Sequence, residues 1–335
     1  MTTIEPRMKH LLKIGTRISR GPLSLLVLAD LALAGCTFDQ LRPEEDVGTA
    51  QQEIIIGNGV SLNGRSLNGR SLNGRSLNGR SLNGVSLNGM RLNGMRLNGI
   101  SLNGSQLAAV TGDGQPIVGT GLVGAIFEGE LSSGDDTLPL RIDSATALAE
   151  PNSDVWAYGV AVEVDEGWIP LCGTDDEGVP ILAIPLAGTW NYESGVTGGG
   201  SWTASGSAFT LGCRRTALAK CVEFGYKPWL TVGGTPLRDH HQACTRMLRA
   251  DYCGNGKSWT ADGTPINIYD DLGIQSDEAS WQVDAEWTGD GAVCTHHIRD
   301  FQPGSPSCIE DLDDPDCGDF AGGAVLIDEF GESDD

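Results

Sequence analysis

The spacing of hydrophobic and polar positions changes three times along the chain. Residues 22–34 are almost continuously apolar, Pro22-Leu-Ser-Leu-Leu-Val-Leu-Ala-Asp-Leu-Ala-Leu-Ala34. From residue 60 to 104 a single Leu recurs every five residues, at 62, 67, 72, 77, 82, 87, 92, 97 and 102. Beyond residue 105 the spacing is irregular, with stretches near period two that predict half-buried strands. These are Leu122–Leu131, Asp154–Val164 and the shorter Thr137–Asp143, Gly188–Tyr192 and Gly206–Leu211, separated by Gly-rich turns. Trp281–Trp287 and Ala292–Ile298 predict a hairpin around Gly289-Asp290-Gly291. Two segments predict helices, a short one near Arg214–Phe224 and a longer one over Leu237–Tyr252, with Gly254 placed to end it. The expected fold is α+β: a strand-rich, disulfide-bonded globular domain with a few short helices.

The first apolar run is too short to span a bilayer, which takes about 20 residues. It follows a basic stretch carrying Arg7, Lys9, Lys13, Arg17 and Arg20, the layout of an export signal. It ends in Leu33-Ala34-Gly35-Cys36, which resembles a bacterial lipobox. The resemblance implies that Cys36 is acylated and becomes the mature N-terminus, with 1–35 removed as a lipoprotein signal peptide. The membrane is then a partner through the acyl chains. Thr37 follows the cysteine, with no Asp there to retain the protein at an inner membrane, so the expected location is the outer membrane or cell surface.

Residues 36–56 read as a polar tether and 57–104 as repeats of the form x-Ser-Leu-Asn-Gly, with Arg91 and Arg96 replacing two of the serines. Asn-Gly is a strong turn signal, because both residues tolerate positive φ. A corner every five residues resembles the four-sided β-helix of pentapeptide-repeat proteins. That family needs a small residue where this chain has Arg65, Arg70, Arg75 and Arg80, and an unpaired buried Arg carries a large penalty. The repeat is therefore expected to be either a flexible spacer or a short β-solenoid. It carries six Arg and no acid, whereas residues 105–335 hold ten bases against 38 acids. The formal net charge of the chain is −23, which argues against nucleic acid as a partner. An envelope or protein partner suits the acidic domain better.

Of nine cysteines, Cys36 is the lipidation candidate. The other eight are Cys172, Cys213, Cys221, Cys244, Cys253, Cys294, Cys308 and Cys317. An even number behind an export signal predicts four disulfides, with 105 possible pairings. Cys308 and Cys317 flank a short acidic loop containing Pro315, which makes a local bridge sterically easy. Zinc is disfavoured, since no C-x-x-C occurs. The globular domain is placed at 105–320 and an acidic tail at 321–335.

Few residues suggest chemistry, and no cofactor is implied. Gly254-Asn-Gly-Lys-Ser258 looks like the end of a phosphate loop, but Asp251 stands where that loop needs its first Gly. No G-x-S-x-G elbow is present. Asp311-Leu-Asp-Asp-Pro-Asp316 resembles half of a calcium loop, without the Gly and Glu that complete one. His240-His241 and His296-His297 are adjacent pairs, so each pair offers at most one ligand to a given ion. One histidine from each, with a nearby Asp or Glu, would make a hydrolytic centre with or without a metal.

Met247-Leu-Arg-Ala250-Asp251-Tyr252-Cys253-Gly254 contains the tetrapeptide Ala-Asp-Tyr-Cys. Cys221-Val-Glu-Phe-Gly-Tyr-Lys-Pro-Trp229 precedes it, and Asp262-Gly-Thr-Pro-Ile-Asn-Ile-Tyr-Asp270 and Leu272-Gly-Ile-Gln275 follow. Over roughly residues 120–300 the chain resembles the ADYC domain, a module of exported bacterial proteins. The resemblance supplies no catalytic residues. Read physically, Asp251 falls in the last helical turn, where its charge opposes the helix dipole unless Arg214, Arg215 or Arg249 offsets it. Tyr252 is expected half-buried with its hydroxyl bonded, and Cys253 bridged. The leading expectation is an exported, lipid-anchored protein displaying a non-catalytic binding or structural domain. The alternative is a secreted hydrolase built on the histidines and carboxylates.

Overall fold

The computed structural model describes residues 71–72, 75–76, 82–86, 91–93 and 95–331, apart from 131–136, 165–166, 207, 261–263 and 300–303. The leader, Cys36 and the tether lie outside the described residues. No described helix is long and apolar enough to cross a membrane.

The repeat contributes β1 (Ser71–Leu72), β2 (Arg75–Ser76), β3 (Leu82–Ser86), β4 (Arg91–Leu92), β5 (Met95–Arg96) and β6 (Asn98–Asn103). The next strands are β7 (Gln106–Val110), β8 (Pro116–Val118), β9 (Ile126–Glu130), β10 (Thr137–Ala147), β11 (Trp156–Val164) and β12 (Gly167–Pro170). They are followed by β13 (Ala183–Ala187), β14 (Thr189–Trp190), β15 (Trp202–Thr203) and β16 (Ala208–Cys213). Helix α1 (Ala217–Glu223), the small hairpin β17 (Thr231–Val232) and β18 (Thr235–Pro236), and helix α2 (Arg238–Leu248) come next. The chain ends with β19 (Ile266–Asp270), β20 (Gln282–Thr288), β21 (Gly291–Thr295), the one-turn α3 (Ile309–Leu312) and β22 (Leu326–Phe330).

The main sheet is antiparallel in the order β3-β16-β13-β11-β10-β9-β4-β5, with β12 beside the second half of β11. It curls: Phe127 on β9 and Phe209 on β16 bring their rings to 6.5 Å, and β3 lies close to β9 as well as pairing with β16. One face packs Tyr158, Val160, Val162, Phe209 and Leu211 with Leu107 and Ala109 of the β6-β7-β8 sheet. The other packs Ala157, Ile184 and Leu186 under Leu218, Ala219 and Val222 of α1. Cover on both faces explains why apolar and polar residues alternate only roughly along β11. A second antiparallel sheet, β19-β22-β20-β21, carries α2 through Ala243, Met247, Ile266, Ile268, Ala285, Trp287 and Leu326.

Four disulfides join Cys172–Cys213, Cys221–Cys244, Cys253–Cys308 and Cys294–Cys317. A strand-rich domain carrying four bridges is one built for an oxidising compartment. The local Cys308–Cys317 bridge does not form. Cys308 meets the turn that follows α2, and Cys317 meets β21, because the chain between them runs across the end of that strand.

Three other expectations are corrected. The described strands of the later repeat units depart from a solenoid: their pairings are antiparallel, whereas a β-helix stacks its coils in parallel. Leu72 pairs with Arg75 and Leu92 with Met95, while Asn83-Gly84 and Asn98-Gly99 lie inside strands. The main sheet therefore extends upstream of residue 105. The supposed acidic tail holds β22, a buried strand between β19 and β20, because Leu326, Ile327 and their neighbours complete the second core. Helix α2 stops at Leu248, short of the expected Tyr252.

Candidate functional site

The end of α2 is set by Ala250, which adopts φ +48°. The Ala250 N–H donates to the Met247 carbonyl and the Asp251 N–H to the Arg246 carbonyl, both at 2.9 Å. This is a Schellman closure with Ala in the position usually held by Gly. Gly254, expected to end the helix, instead allows a close approach. It has φ +61°, and a Cβ there would lie 1.6 Å from the Asp290 carbonyl oxygen. The turn after α2 is thus pressed onto the β20–β21 hairpin, where Ala292 N–H donates to the Tyr252 carbonyl at 2.9 Å.

Each residue of the tetrapeptide has a partner. Asp251 is fully buried and pairs with the equally buried Arg246 guanidinium. Its carboxylate also accepts the N–H groups of Asn255 (3.0 Å) and Gly256 (2.9 Å). The amides of the would-be phosphate loop are therefore filled by the chain's own carboxylate. The expected partners Arg214, Arg215 and Arg249 are not the ones used: Arg214 pairs with Glu223, and Arg249 donates to the Gly256 carbonyl. Asp251 lies beyond the helix rather than in its last turn, because Ala250 has already reversed the chain. Arg246 also reaches the carbonyls of Gly199 (2.5 Å) and Gly289 (3.2 Å) and the Ser201 hydroxyl (2.8 Å).

Tyr252 is fully buried rather than half-buried. Its hydroxyl donates to Asp284 Oδ1 at 2.7 Å and accepts the Arg299 N–H at 2.9 Å. Burial, then the Asp284 charge, hold its hydroxyl well above the ordinary tyrosine range, so it stays protonated. The Arg299 side chain donates to Asp284 Oδ2 (2.5 Å), Asp328 Oδ2 (2.8 Å) and the Met247 carbonyl (2.8 Å). Trp287 Nε1 donates to Asp328 Oδ1 at 2.6 Å. The ladder between β20 and β22 slips at Asp284, since Val283 pairs with Glu329 and Ala285 with Asp328. That bulge brings both carboxylates to one guanidinium. Burial, then the Asp284 charge, push Asp328 well above the carboxylate range, while Arg299 and the Trp287 indole pull the other way. Burial works against the Arg299 charge, but the two carboxylates raise its pKa overall.

The four candidate histidines are not brought together. His240 Nε2 contacts Asp271 Oδ1 at 2.7 Å, and its ring stacks on Tyr226. His241 faces the Leu218 carbonyl at 3.0 Å and the Trp190 ring. His296 and His297 are exposed at the end of β21, with His297 stacked on Phe330. Among the described residues, the group at metal-ligand spacing is Glu286, Cys294 and Cys317, in which the two sulfurs are bonded to each other. Glu286 Oε1 accepts the N–H groups of Gly318 and Asp319. The half calcium loop is a turn of exposed acids in which Asp314 accepts the Asp316 N–H.

His241 yields a pH prediction. Burial, then the Arg238 charge, lower its pKa from 6.5 to about 3. The folded state therefore binds fewer protons there than the unfolded state between those values. Its contribution is complete above pH 6.5 and is lost as pH falls toward 3, by up to about 5 kcal/mol. His241→Gln is expected to flatten that limb in denaturant titrations at a series of pH values. An unchanged slope would refute the assignment.

Sequence reasoning missed Arg246, Asp284, Arg299 and Asp328. Asp284 and Asp328 did leave a signal, an acid inside a strand pattern in Val283-Asp284-Ala285 and Ile327-Asp328. Arg299 left none.

A strand-rich domain with four disulfides, whose Ala-Asp-Tyr-Cys segment knots one helix to a sheet, defines the class. The family model of the ADYC domain matches residues 119–300, more than half of the chain. The chain belongs to the ADYC domain family. Comparison with curated proteins and with solved structures returned no match.

Proposed function

We propose that the chain is an exported, lipid-anchored envelope or surface protein that displays its ADYC domain as a non-catalytic binding or structural module. The observation that carries this reading is the use made of the family tetrapeptide. Asp251 is spent on Arg246 and two loop amides, Tyr252 on Asp284 and Arg299, and Cys253 on Cys308. None of these groups is left to meet a substrate. The four bridges suit a protein working outside the cytoplasm. The Leu-Ala-Gly-Cys36 box supplies the anchor and the acidic domain disfavours nucleic acid.

The test is membrane fractionation of Cys36→Ala against the unaltered chain. The variant is expected in the soluble exported fraction and without label from a radioactive fatty acid. Membrane association unchanged by the substitution would refute the anchor.

A further inference from the structure

The main sheet is completed by strands from outside the family match. β16 ends the matched part of the sheet on one side, and β3, from the repeat, covers its edge with Ser86 opposite Ala208, Val85 opposite Phe209 and Leu82 opposite Leu211. Arg91 of β4 covers the other side by pairing with Ile126. Without β3, β16 would present a row of unpaired backbone groups beside the buried Phe209 and Leu211, a template for another strand.

The repeat contains a second copy of four of the five residues that sit there, with Gly57 in the place of Leu82. Asn58-Gly-Val-Ser-Leu-Asn-Gly64 is identical to Asn83-Gly-Val-Ser-Leu-Asn-Gly89 over seven residues. The units between them put Arg65, Arg70, Arg75 and Arg80 at the position that β3 pairs with Phe209, and an Arg beside a fully buried ring is a poor occupant. Val60 and Val85 are the two valines at that position of the repeat.

We propose that the β16 edge is an acceptor for an Asn-Gly-Val-Ser strand, and that Asn58–Ser61 of a second copy of this chain is its alternative occupant, so that neighbouring chains link by strand exchange. The four shared residues can form the same ladder from either chain, with the Leu82–Leu211 pair lost to Gly57 in the exchanged form, so exchange is governed by the local density of copies. Twenty residues separate Ser61 from Leu82; with the β1–β2 pair of Ser71–Ser76 kept, the other fourteen span up to about 46 Å when extended.

The test is a cysteine trap between full chains. Ser61→Cys is placed in one population and Ala208→Cys in another, and the two are mixed at high concentration, oxidised, digested and read by mass. The expected result is a 61–208 link between chains at least tenfold above that from a Ser66→Cys donor, whose unit carries Arg65. Ser86→Cys with Ala208→Cys in one chain should give an internal link. Three results would each overturn the proposal: no 61–208 link where the internal link forms, equal linking by the Ser66→Cys donor, or failure of the internal link itself.

Discussion

Replacing Arg299 by Met is expected to cost the domain on the order of 3–5 kcal/mol at neutral pH, the usual penalty for breaking a buried ion pair from one side. Arg299, Asp284 and Asp328 are all fully excluded from solvent. Removing the guanidinium leaves two carboxylates facing each other, with the Tyr252 hydroxyl and the Trp287 indole as their side-chain donors among the described residues. The deficit should depend on pH in a defined sense. Asp328 already has a raised pKa in the folded state, so its favourable contribution is present below the unfolded value of 3.8 and is lost as pH rises through the folded value. Without Arg299, which pulls Asp328 toward its charged form, this behaviour of Asp328 should grow. The variant should therefore recover stability relative to the unaltered protein as pH falls from 7 to 4. Adding Asp284→Asn and Asp328→Asn should restore part of the loss at pH 7. Denaturant midpoints of the oxidised protein, followed by tryptophan fluorescence, measure both effects. An equal deficit at pH 4 and pH 7 would refute this account of the cluster.

Asp251→Ala is expected to cost about 3 kcal/mol, by stranding the buried Arg246 charge and leaving the Asn255 and Gly256 amides without acceptors. Asp251→Asn should cost less, because its side-chain oxygen still accepts an amide. Hydrogen exchange gives a local readout that a general loss of stability would not mimic. The Asn255 and Gly256 amides should exchange faster than those of α1, which lies on the main sheet away from the substitution. If these two amides keep their protection while the midpoint falls, Asp251 acts through something other than the loop it caps. The two clusters share α2, since Arg246 serves one and the Met247 carbonyl the other. The substitutions are therefore close enough to couple, and their costs should not simply add.

The strands most legible in the sequence were those with local chemistry to announce them. Trp156–Val164 was readable from its β-branched and aromatic content, and the β20–β21 hairpin from the Gly289-Asp290-Gly291 turn. The α2 start was placed to within a residue, but its end was not. Gly254 looked like the stop because Gly is favoured there, whereas Ala250 took the left-handed position, since the 2.9 Å backbone bonds and burial of its methyl group offset the strain. The cysteine count led to four bridges, yet the apparently easy Cys308–Cys317 link was wrong. Proximity in sequence says nothing about which strand end each thiol faces.

What the sequence determined by itself was what depends on neighbours along the chain: the five-residue period, the turn residues, the strand content, the even number of thiols and the Ala-Asp-Tyr-Cys block. What only the tertiary structure decided was every pairing across it. The strand Leu326–Phe330 entered the middle of a sheet because two apolar faces, α2 and the opposing loops, needed a strand there that its acidic flanks did not advertise. Leu82–Ser86 covers the β16 edge because an exposed ladder is costly. Asp284, Asp328, Arg299 and Tyr252 come from four separate segments, and their charges are tolerable only where the fold brings them together. The attraction that holds them exists in the low-dielectric interior alone, so it has no trace in local sequence.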